Sequence, residues 1–305
     1  MPVYNAGEFL IESMESILNQ TFKDFEFIII NDCSIDNSLK TIKGFQKKDN
    51  RIKIINNRKN LGVKRSLNKG LKIARGKYVA RMDADDISLP NRFKVQFDYL
   101  ENHPKIFLIG GSAIIINESG ERLGIFEKYD NYKRIKKKLP KTNCMIHPSI
   151  MFRNTKDIYY REKFIRSEDY DLYLRFLSQG KNITNLHDFL IKYRISRGTG
   201  LYKNQKPHQE FFFQKAKDFY EQREKTGKDD YENLSTPSLK PKNLNFGKMN
   251  LSVKILAEFQ DNLRKETRRD IREYFKRFGV DKVLLIFYIL SFFPQKFVRF
   301  LRKRF

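Results

Sequence analysis

Three groups of acidic residues stand at positions where carboxylate side chains can do chemistry. Asp32 follows a β-branched apolar run, Asp83 and Asp85 form an Asp-Ala-Asp turn after another apolar run, and Glu168 and Asp169 are adjacent. An Asp-x-Asp turn can bind a hard divalent cation through one carboxylate while the other accepts a hydrogen bond from a hydroxyl. An adjacent acid pair can supply a general base. The sequence therefore contains candidates for cation binding and for proton transfer.

Each candidate also has an ordinary structural interpretation. Asp is a common turn former, so an isolated Asp-x-Asp is more often a solvated loop than a metal site. Glu168 and Asp169 begin a predicted helix, where acids stabilise the positive end of the helix dipole. His147 is a lone histidine at the start of a predicted strand and is as compatible with a structural role as with a site. The acids become informative only if the fold brings them together.

The elements around these residues predict an α/β fold. Residues 1–120 alternate short apolar runs with segments of helical period, which is typical of strands joined by crossover helices. We predict strands at residues 25–30, 52–55, 77–82, 106–116 and 147–153. We predict helices at residues 9–18, 37–46, 61–74, 90–101, 134–139 and 168–177. Because ligands of open α/β sheets bind beyond the carboxyl ends of the strands, we expect Asp32 and the Asp83/Asp85 turn to face one crevice.

Composition divides the chain into three predicted parts. Residues 1–225 form a catalytic domain, residues 226–243 a polar linker or exposed loop, and residues 244–305 a helical, basic, amphipathic extension. The formal net charge is +25, and the 66 residues from Lys240 contain 17 Lys or Arg against 6 Asp or Glu. The two cysteines give no disulfide framework and no metal-binding spacing. The first residues lack the basic and apolar regions of a secretory signal, so we expect a cytoplasmic location.

Five motifs, in their order and spacing, resemble family 2 glycosyltransferases of the GT-A fold. The motifs are Met1-Pro-Val-Tyr-Asn-Ala, Ser16-Ile-Leu-Asn-Gln-Thr, Asn31-Asp-Cys-Ser-Ile-Asp-Asn-Ser, Asn60-Leu-Gly and Ala80-Arg-Met-Asp-Ala-Asp-Asp-Ile-Ser-Leu-Pro-Asn-Arg. The resemblance covers roughly residues 1–200 and leaves the basic extension outside. It implies a Rossmann-like mixed sheet flanked by helices and a metal-dependent, inverting transferase that uses a nucleotide sugar.

On the donor side, the resemblance implies a role for each matching residue. Asp32 is expected to hydrogen-bond the base or ribose, Asp83 to face the ribose, and Asp85 to hold Mn²⁺ or Mg²⁺. The residues expected beside the nucleoside are Pro2, Val3 and Tyr4. From their positions rather than from the family, Lys64 and Arg65 can reach the diphosphate or form a solvated helix face. Arg81 precedes the acidic turn and is expected to pair with it.

On the acceptor side, Ser167-Glu-Asp-Tyr-Asp-Leu-Tyr-Leu-Arg-Phe looks like the acidic motif of the family. Its second acid, Asp169, is the implied general base, and Glu168 is the neighbouring candidate. A base is needed because a sugar hydroxyl is a poor nucleophile at neutral pH. His147 resembles a family position that faces the active site and remains a secondary candidate.

The sequence departs from the family pattern in three ways. The residues before Pro2 that normally form the first central strand are mostly lacking, which predicts exposed sheet edges and a weakened nucleoside pocket. Ser196 stands where some relatives place a His near the metal. The Gln-x-x-Arg-Trp signature of processive synthases is absent, and the chain has no Trp, which favours transfer of a single sugar.

The basic extension predicts a partner of its own. Val283–Phe293 is too short to span a bilayer, but with the basic residues after Pro294 it can lie in a membrane interface. A helix packed on the catalytic domain is the alternative. No nucleic-acid recognition motif accompanies the charge, so we do not expect a nucleic-acid partner.

These observations leave several functions open. The first is a transferase that moves a sugar, expected to come from a UDP-sugar, to a hydroxyl of a cell-surface glycan or lipid-linked oligosaccharide at the cytoplasmic face of a membrane. A sugar-nucleotide pyrophosphorylase would need a Gly-rich, Arg-containing phosphate loop, which the sequence lacks. A catalytically degenerate GT-A-fold scaffold in a membrane-bound polysaccharide assembly complex is the non-enzyme alternative.

Overall fold

The computed structural model describes residues 1–128, 131–195, 206–235, 255, 264–278 and 280–293. Its first part is a parallel sheet whose order is β1-β2-β3. The strands of this sheet are β1 (Pro2–Val3), β2 (Phe27–Asn31) and β3 (Ile52–Asn56). The helices that follow them are α1 (Leu10–Leu18), α2 (Ser38–Gln46) and α3 (Val63–Ile73). The alternation predicted for this region is confirmed.

The second sheet is mixed and has six strands. Their order is β4-β8-β6-β9-β5, with β7 paired to β6. The strands are β4 (Tyr78–Ala80), β5 (Ile87–Ser88), β6 (Ile106–Ile116), β7 (Arg122–Phe126), β8 (Met151–Arg153) and β9 (Asn182–Arg194). Strands β6 and β9 are parallel, whereas the other pairs are antiparallel. The accompanying helices are α4 (Arg92–Asn102), α5 (Tyr132–Lys138), α6 (Glu168–Ser178) and α7 (Lys206–Thr226).

Helix α6 is fixed firmly because it is buried on nearly every side. Each residue from Tyr170 to Leu177 is buried, and the ring of Tyr170 stacks on Phe213 of α7 at a centroid distance of 4.3 Å. The buried carboxylate of Asp171 accepts a hydrogen bond from Arg175 Nε at 3.0 Å and also pairs with Arg161. A helix buried all round cannot rotate without losing apolar contacts. The residues at its N-terminus therefore have a defined position.

The two sheets are separated where the sequence predicts exposed edges. Strand β1 is two residues long and pairs with β2 only through Ile30 and Asn31. A largely apolar cavity of about 570 Å³ lies between the rest of β2 and β4, and its lining includes Ile28 and Val79. Strand β4 is the end strand of the second sheet, and its residues form part of the wall of this cavity.

Two expectations about local structure are wrong. Residues 147–149 form a short 3-10 turn rather than the start of a strand, because Pro148 within the turn has no N–H to donate to a strand ladder. The first part of the predicted linker packs on the domain: Tyr231 stacks on Phe164 at 6.2 Å, and Asp229 pairs with Arg161 at 2.9 Å. Residues 236–243 lie outside the described part of the chain.

Two helices are described in the C-terminal extension, α8 (Arg264–Phe278) and α9 (Lys282–Leu290). Ile271 and Tyr274 of α8 pack against Leu284 of α9. Along α9 and just after its end, five large apolar side chains are exposed. They are Leu285, Ile286, Ile289, Phe292 and Phe293. Across the described ranges, we find no helix with the length and apolar character that crossing a bilayer requires.

Candidate active site

The acidic turn lies between β4 and β5 and brings three carboxylates together. Oxygen atoms of Asp83, Asp85 and Asp86 lie within 4.8 Å of one another. Ser13 of α1 supports the turn, because its hydroxyl donates a hydrogen bond to the carbonyl oxygen of Asp83 at 3.0 Å. Asp85 is exposed, Asp83 is half-buried and Asp86 is buried. The exposed side of this cluster is open to a ligand.

The pKa values of the cluster show that its negative charge is not fully neutralised by the chain itself. Loss of hydration and the charge of Asp83 raise the pKa of Asp85 to about 6, and the same causes raise the pKa of Asp86 well above its ordinary value. Within the described residues, the buried Oδ2 of Asp86 has no hydrogen-bond partner. Three clustered carboxylates are the donor set that Mg²⁺ and Mn²⁺ prefer. The residues present therefore fit a hard divalent cation.

Arg81 lies beside this cluster, at the end of β4. Its guanidinium is buried and pairs with the carboxylate of Asp83, as expected from the sequence. Burial opposes the charge of Arg81, but Asp83 outweighs burial and the pKa of Arg81 lies above its ordinary value. Arg81 is therefore a permanent positive charge against the acidic turn.

Arg194, the last residue of β9, holds the turn from the other side. Its backbone N–H donates to Asp86 Oδ1 at 2.8 Å, and its Nε donates to the carbonyl oxygen of Asp85 at 2.9 Å. Its remaining nitrogens bond the carbonyl oxygens of Asn117 and Glu118 and the carboxylate of Glu12. This planar fork joins the turn to α1 and to the end of β6.

We expect Arg194→Lys to destabilise the protein. A lysine keeps the charge but cannot reproduce three differently directed nitrogens, so the carbonyl oxygens of Asp85, Asn117 and Glu118 would lose donors. The expected loss is about 2–4 kcal/mol in the free energy of unfolding, measured by urea denaturation. The matched control is Arg65→Lys, because Arg65 is half-exposed and pairs with Glu162 alone, at 2.7 Å. That control should change stability by less than about 0.5 kcal/mol. Equal losses of unfolding free energy in both variants would show that Arg194 stabilises the fold no more than an exposed arginine does.

Asp169 lies in the first turn of α6, next to Glu168. Asn143 Nδ2 donates a hydrogen bond to Asp169 Oδ2 at 2.9 Å, which fixes the orientation of the carboxylate. Burial raises the pKa of Asp169, and burial together with the charge of Asp169 raises the pKa of Glu168. A carboxylate with a raised pKa is a stronger base than an ordinary surface acid. Asp169 is therefore suited to accept a proton.

Two buried groups connect Asp169 with the acidic turn. The positive charge of Arg81, which pairs with Asp83, also acts on Asp169 and opposes the rise in its pKa. Burial raises the pKa of Tyr160, which senses the charges of Arg81, Asp169 and Asp83 together. Because such interactions weaken with distance, both acidic groups must lie around the same buried region. The structure thus brings together acids that are 86 positions apart in the chain (83 and 169).

His147 belongs to this region but is neutral. Its Nε2 lies 2.8 Å from the hydroxyl of Tyr160, and its ring meets Tyr173 edge-on at 6.2 Å. Burial and the charge of Arg81 hold the pKa of His147 well below its usual range. A neutral histidine bonded to a tyrosine can position neighbouring groups, but it does not provide a cation.

The donor-side residues lie at the carboxyl ends of β1 and β2. Pro2 and Val3 form β1, while Tyr4 is exposed just after it. Both oxygens of Asp32 already accept internal hydrogen bonds. The donors are Asn57 Nδ2 at 2.7 Å, Leu61 N at 2.8 Å and Gly62 N at 2.7 Å. Asp32 therefore anchors the loop that opens α3, and its contact with a nucleoside stays a prediction.

Lys64 and Arg65, in the first turn of α3, point to different surroundings. Burial lowers the pKa of Lys64, and the charge of Glu168 opposes that change, so Lys64 lies near the start of α6. Arg65 is exposed and bonds Glu162. Arg65 therefore fits the solvated interpretation, and a contact of Lys64 with the diphosphate stays a prediction.

Sequence reasoning did not identify Asn143, Tyr160 or the role of Arg194. Asn143 has no local signal, since it lies in a loop and meets Asp169 only through the fold. Arg194 was visible at the end of a strand motif, but its contacts depend on the pairing of β5 with β9. Ser196 lies outside the described residues.

The chain is similar to known proteins over most of its first 200 residues. The sequence profile of the family described as "Glycosyl transferase family 2" matches residues 1–160, more than half of the chain. The protein belongs to glycosyl transferase family 2. This family 2 protein is 45% identical over 201 residues to an uncharacterized glycosyltransferase of Methanocaldococcus jannaschii, a match that covers 64% of this chain and 69% of the relative. It is 38% identical over 205 residues to the O-antigen biosynthesis glycosyltransferase WbnJ of Escherichia coli, covering 64% and 78%.

Solved structures confirm the GT-A fold of this family 2 glycosyltransferase. S. aureus TarS 1-349 in complex with UDP-GlcNAc superposes with a TM-score of 0.52 at 18% identity, covering 95% of this chain and 77% of that chain. The mannosyltransferase PcManGT from Pyrobaculum calidifontis, in complex with GDP-Man and Mn²⁺, gives 0.52 at 13% identity, covering 66% and 57%. The chain covers 49% of a further TarS structure, with a TM-score of 0.55 and 16% identity.

Proposed function

We propose that this family 2 glycosyltransferase is a metal-dependent, inverting enzyme that transfers a sugar from a UDP-sugar to an acceptor hydroxyl. The observation that supports this proposal most strongly is the shared environment of the acidic turn and Asp169, which Arg81 and Tyr160 both sense. The acceptor we propose is a cell-surface glycan or lipid-linked oligosaccharide. The O-antigen relative and the UDP-GlcNAc complex of TarS support this choice of acceptor and donor.

On the donor side, Asp85 would hold Mn²⁺ or Mg²⁺ and Asp83 would face the ribose. When bound, the cation neutralises charge on the diphosphate leaving group. Lys64, which lies near the start of α6, would add a positive charge toward the diphosphate. Arg81 keeps Asp83 oriented through their ion pair.

The nucleoside would be surrounded by residues at the carboxyl ends of β1 and β2, namely Pro2, Val3, Tyr4 and Asp32. The Mn²⁺ complex of PcManGT supports a metal in this class of fold.

On the acceptor side, Asp169 would accept the proton of the attacking hydroxyl. The hydrogen bond from Asn143 holds its carboxylate in place, and burial raises its pKa, so it is a better proton acceptor than a surface carboxylate while the bond to the anomeric carbon forms. Attack from the face opposite the diphosphate inverts the anomeric configuration. Glu168, beside it, would be a secondary candidate for the same role.

Calorimetric titration with UDP tests this proposal. UDP should bind with a heat that requires Mn²⁺, and a UDP-sugar without acceptor should be slowly hydrolysed only when metal is present. Absence of metal-dependent UDP binding would contradict the proposed function. A screen of other nucleoside diphosphates under the same conditions would identify the base that the enzyme selects.

Metal binding should weaken as the solution becomes acidic. The pKa of Asp85 is about 6 in the folded protein, so its carboxylate is mostly ionised at pH 7 and mostly protonated at pH 5. Because a protonated carboxylate is a poor ligand, the affinity for Mn²⁺ should fall about tenfold over this range. Measurement of free Mn²⁺ by electron paramagnetic resonance at pH 5, 6 and 7 checks the slope. An affinity that is independent of pH would show that Asp85 does not bind the metal.

A catalytically degenerate scaffold in a polysaccharide assembly complex is the second candidate. The feature that favours it is Asp32, whose two carboxylate oxygens are already used by internal hydrogen bonds. A scaffold should bind UDP without a metal requirement or not at all. The same titration therefore separates the two candidates.

We also propose that the C-terminal extension holds the enzyme on the cytoplasmic face of a membrane. The exposed apolar stripe, defined by Leu285, Ile286, Ile289, Phe292 and Phe293, runs along α9 and the residues just after it, and Arg268 of α8 lies over the ring of Phe292 at 4.6 Å. Helix α8 adds seven Lys or Arg against three acids. Apolar burial together with attraction to anionic lipid is the usual basis of interfacial binding. Flotation with phosphatidylglycerol vesicles should recover the wild type and fail to recover Ile286→Ser/Ile289→Ser.

A further inference from the structure

Helix α5 and the turn after it expose an unusual run of positive charge. Residues 133–141 contain six Lys or Arg, and the sequence has no Asp or Glu between Asp130 and Asp157. All six side chains are exposed. We call them the basic strip: Lys133, Arg134, Lys136, Lys137, Lys138 and Lys141. In the part of the chain that the structure describes, four of the lysines, at 133, 136, 137 and 141, form no ion pair.

The basic strip is held in place by burial beneath it. Ile135 and Leu139, four positions apart, are fully buried, and the Asn131 side chain caps the helix by accepting a hydrogen bond from Arg134 N at 3.1 Å. With these apolar positions facing inward, the intervening lysines face solvent. Lysines at the end of a helix also stabilise its dipole, but that accounts only for the last turn. Lys133 and Lys141 lie outside that turn and form no ion pair with the residues that the structure describes.

One end of the basic strip lies at the proposed catalytic base. The carbonyl oxygen of Leu139 accepts a hydrogen bond from Tyr170 Oη at 2.7 Å, and Asn143 bonds Asp169 at 2.9 Å. At the other end, Lys136 and Gly180 line the same small cavity, beyond the last turn of α6. Helix α6 has 11 residues and is roughly 16 Å long at about 1.5 Å per residue. The basic strip thus runs beside α6 and leads away from Asp169.

We propose that the basic strip binds the acceptor and that the acceptor is a glycan carrying phosphate groups. This inference rests on the proposed function, in which the acceptor hydroxyl reaches Asp169 and the rest of the acceptor extends away from the donor. A strip of cations leading from the base fits an extended polyanion. Five of the six residues are lysines, whose compact ammonium groups bind phosphate oxygens as point charges, whereas Arg is preferred for planar, two-point recognition.

The test compares two triple variants with the same change in net charge. Lys133→Gln/Lys137→Gln/Lys141→Gln removes free lysines of the basic strip. Lys43→Gln/Lys47→Gln/Lys48→Gln removes equally exposed lysines at the end of α2. The probe is a short fluorescent inorganic polyphosphate, followed by anisotropy at low salt with UDP and Mn²⁺ saturating the donor site. We expect wild type and the α2 variant to bind alike and the strip variant to bind about tenfold more weakly.

Three outcomes would overturn the inference. The first is that the strip variant binds polyphosphate as tightly as the wild type. The second is that both triple variants lose polyphosphate affinity alike, which would be an effect of net charge. The third is that an oligogalacturonate of the same length binds as tightly as polyphosphate, which would indicate a carboxylated acceptor. Vesicles of phosphatidylglycerol form a further arm: loss of vesicle binding with unchanged polyphosphate binding would assign the strip to a membrane instead. Metal-dependent UDP binding is measured in the same samples. If it is absent, the proposed function fails; if it is present and the strip variant is unaffected, only this inference fails.

Discussion

Replacement of Asp169 by Asn should abolish sugar transfer while leaving donor binding intact. The variant keeps the shape of the side chain and can still contact Asn143, but it lacks the carboxylate that would accept the proton of the acceptor hydroxyl. General-base catalysis contributes about a hundredfold to ten-thousandfold, so we expect kcat to fall by about a thousandfold. The affinity for UDP with Mn²⁺, measured by calorimetry, should change less than about twofold because Asp169 lies on the acceptor side.

Two companion variants interpret this result. Glu168→Gln should reduce kcat by less than about tenfold if Asp169 is the base. Asp98→Asn removes an exposed carboxylate that pairs with Lys94 at 2.6 Å on α4, and it should leave transfer and stability unchanged. If Glu168→Gln proved the more severe change, the two acids would exchange roles. If Asp169→Asn retained full kcat, neither the assignment nor the mechanism built on it would stand.

Replacement of Asp85 by Asn should remove metal-dependent activity by a different route. The amide offers a weaker, neutral oxygen ligand, so we expect the affinity for Mn²⁺ to fall roughly a hundredfold or more and kcat/KM at ordinary metal concentrations to fall with it. Without metal, the variant should be more stable than the wild type at neutral pH. The raised pKa of Asp85 means that its ionised form is disfavoured in the folded state, and this cost is present above the ordinary aspartate pKa and disappears in acid.

Asp83→Asn serves as the comparison for that variant. It breaks the ion pair with buried Arg81, so it should destabilise the apo protein, in contrast to Asp85→Asn. Opposite changes in melting temperature at pH 7 are the expected pattern, and the gain from Asp85→Asn should disappear as the pH falls toward the ordinary aspartate pKa. Equal destabilisation by both substitutions would show that Asp85, like Asp83, is a structural partner rather than a position kept free for a cation.

The sequence was sufficient to predict most features that depend on local pattern. Helix α6 begins at Glu168 as predicted, because an acidic first turn precedes an apolar face. The acidic turn was placed correctly after β4, and Arg81 pairs with it. The rule that ligands gather at the carboxyl ends of strands placed Asp32 and the Asp83/Asp85 turn at one crevice, and that shared crevice stays a prediction.

The features that were missed depend on register between distant segments. The position of Arg194 over the acidic turn follows from the pairing of Ile87 with Lys192, which no local period encodes. Asn143 reaches Asp169 because the loop after α5 folds back over α6. Residues 229–234 looked like a linker from their composition, but buried Asp229 and the ring of Tyr231 attach them to the domain. Burial against partners elsewhere in the chain overrode composition there.

A crystal structure of Asp169→Asn with UDP-sugar and Mn²⁺ tests the central claim most directly, since this variant should retain an intact donor. Our account predicts Mn²⁺ on Asp85 and the diphosphate, the ribose near Asp83, and residue 169 within hydrogen-bond reach of the space facing the anomeric carbon. A donor bound away from the acidic turn, or a residue 169 turned from the sugar, would contradict it.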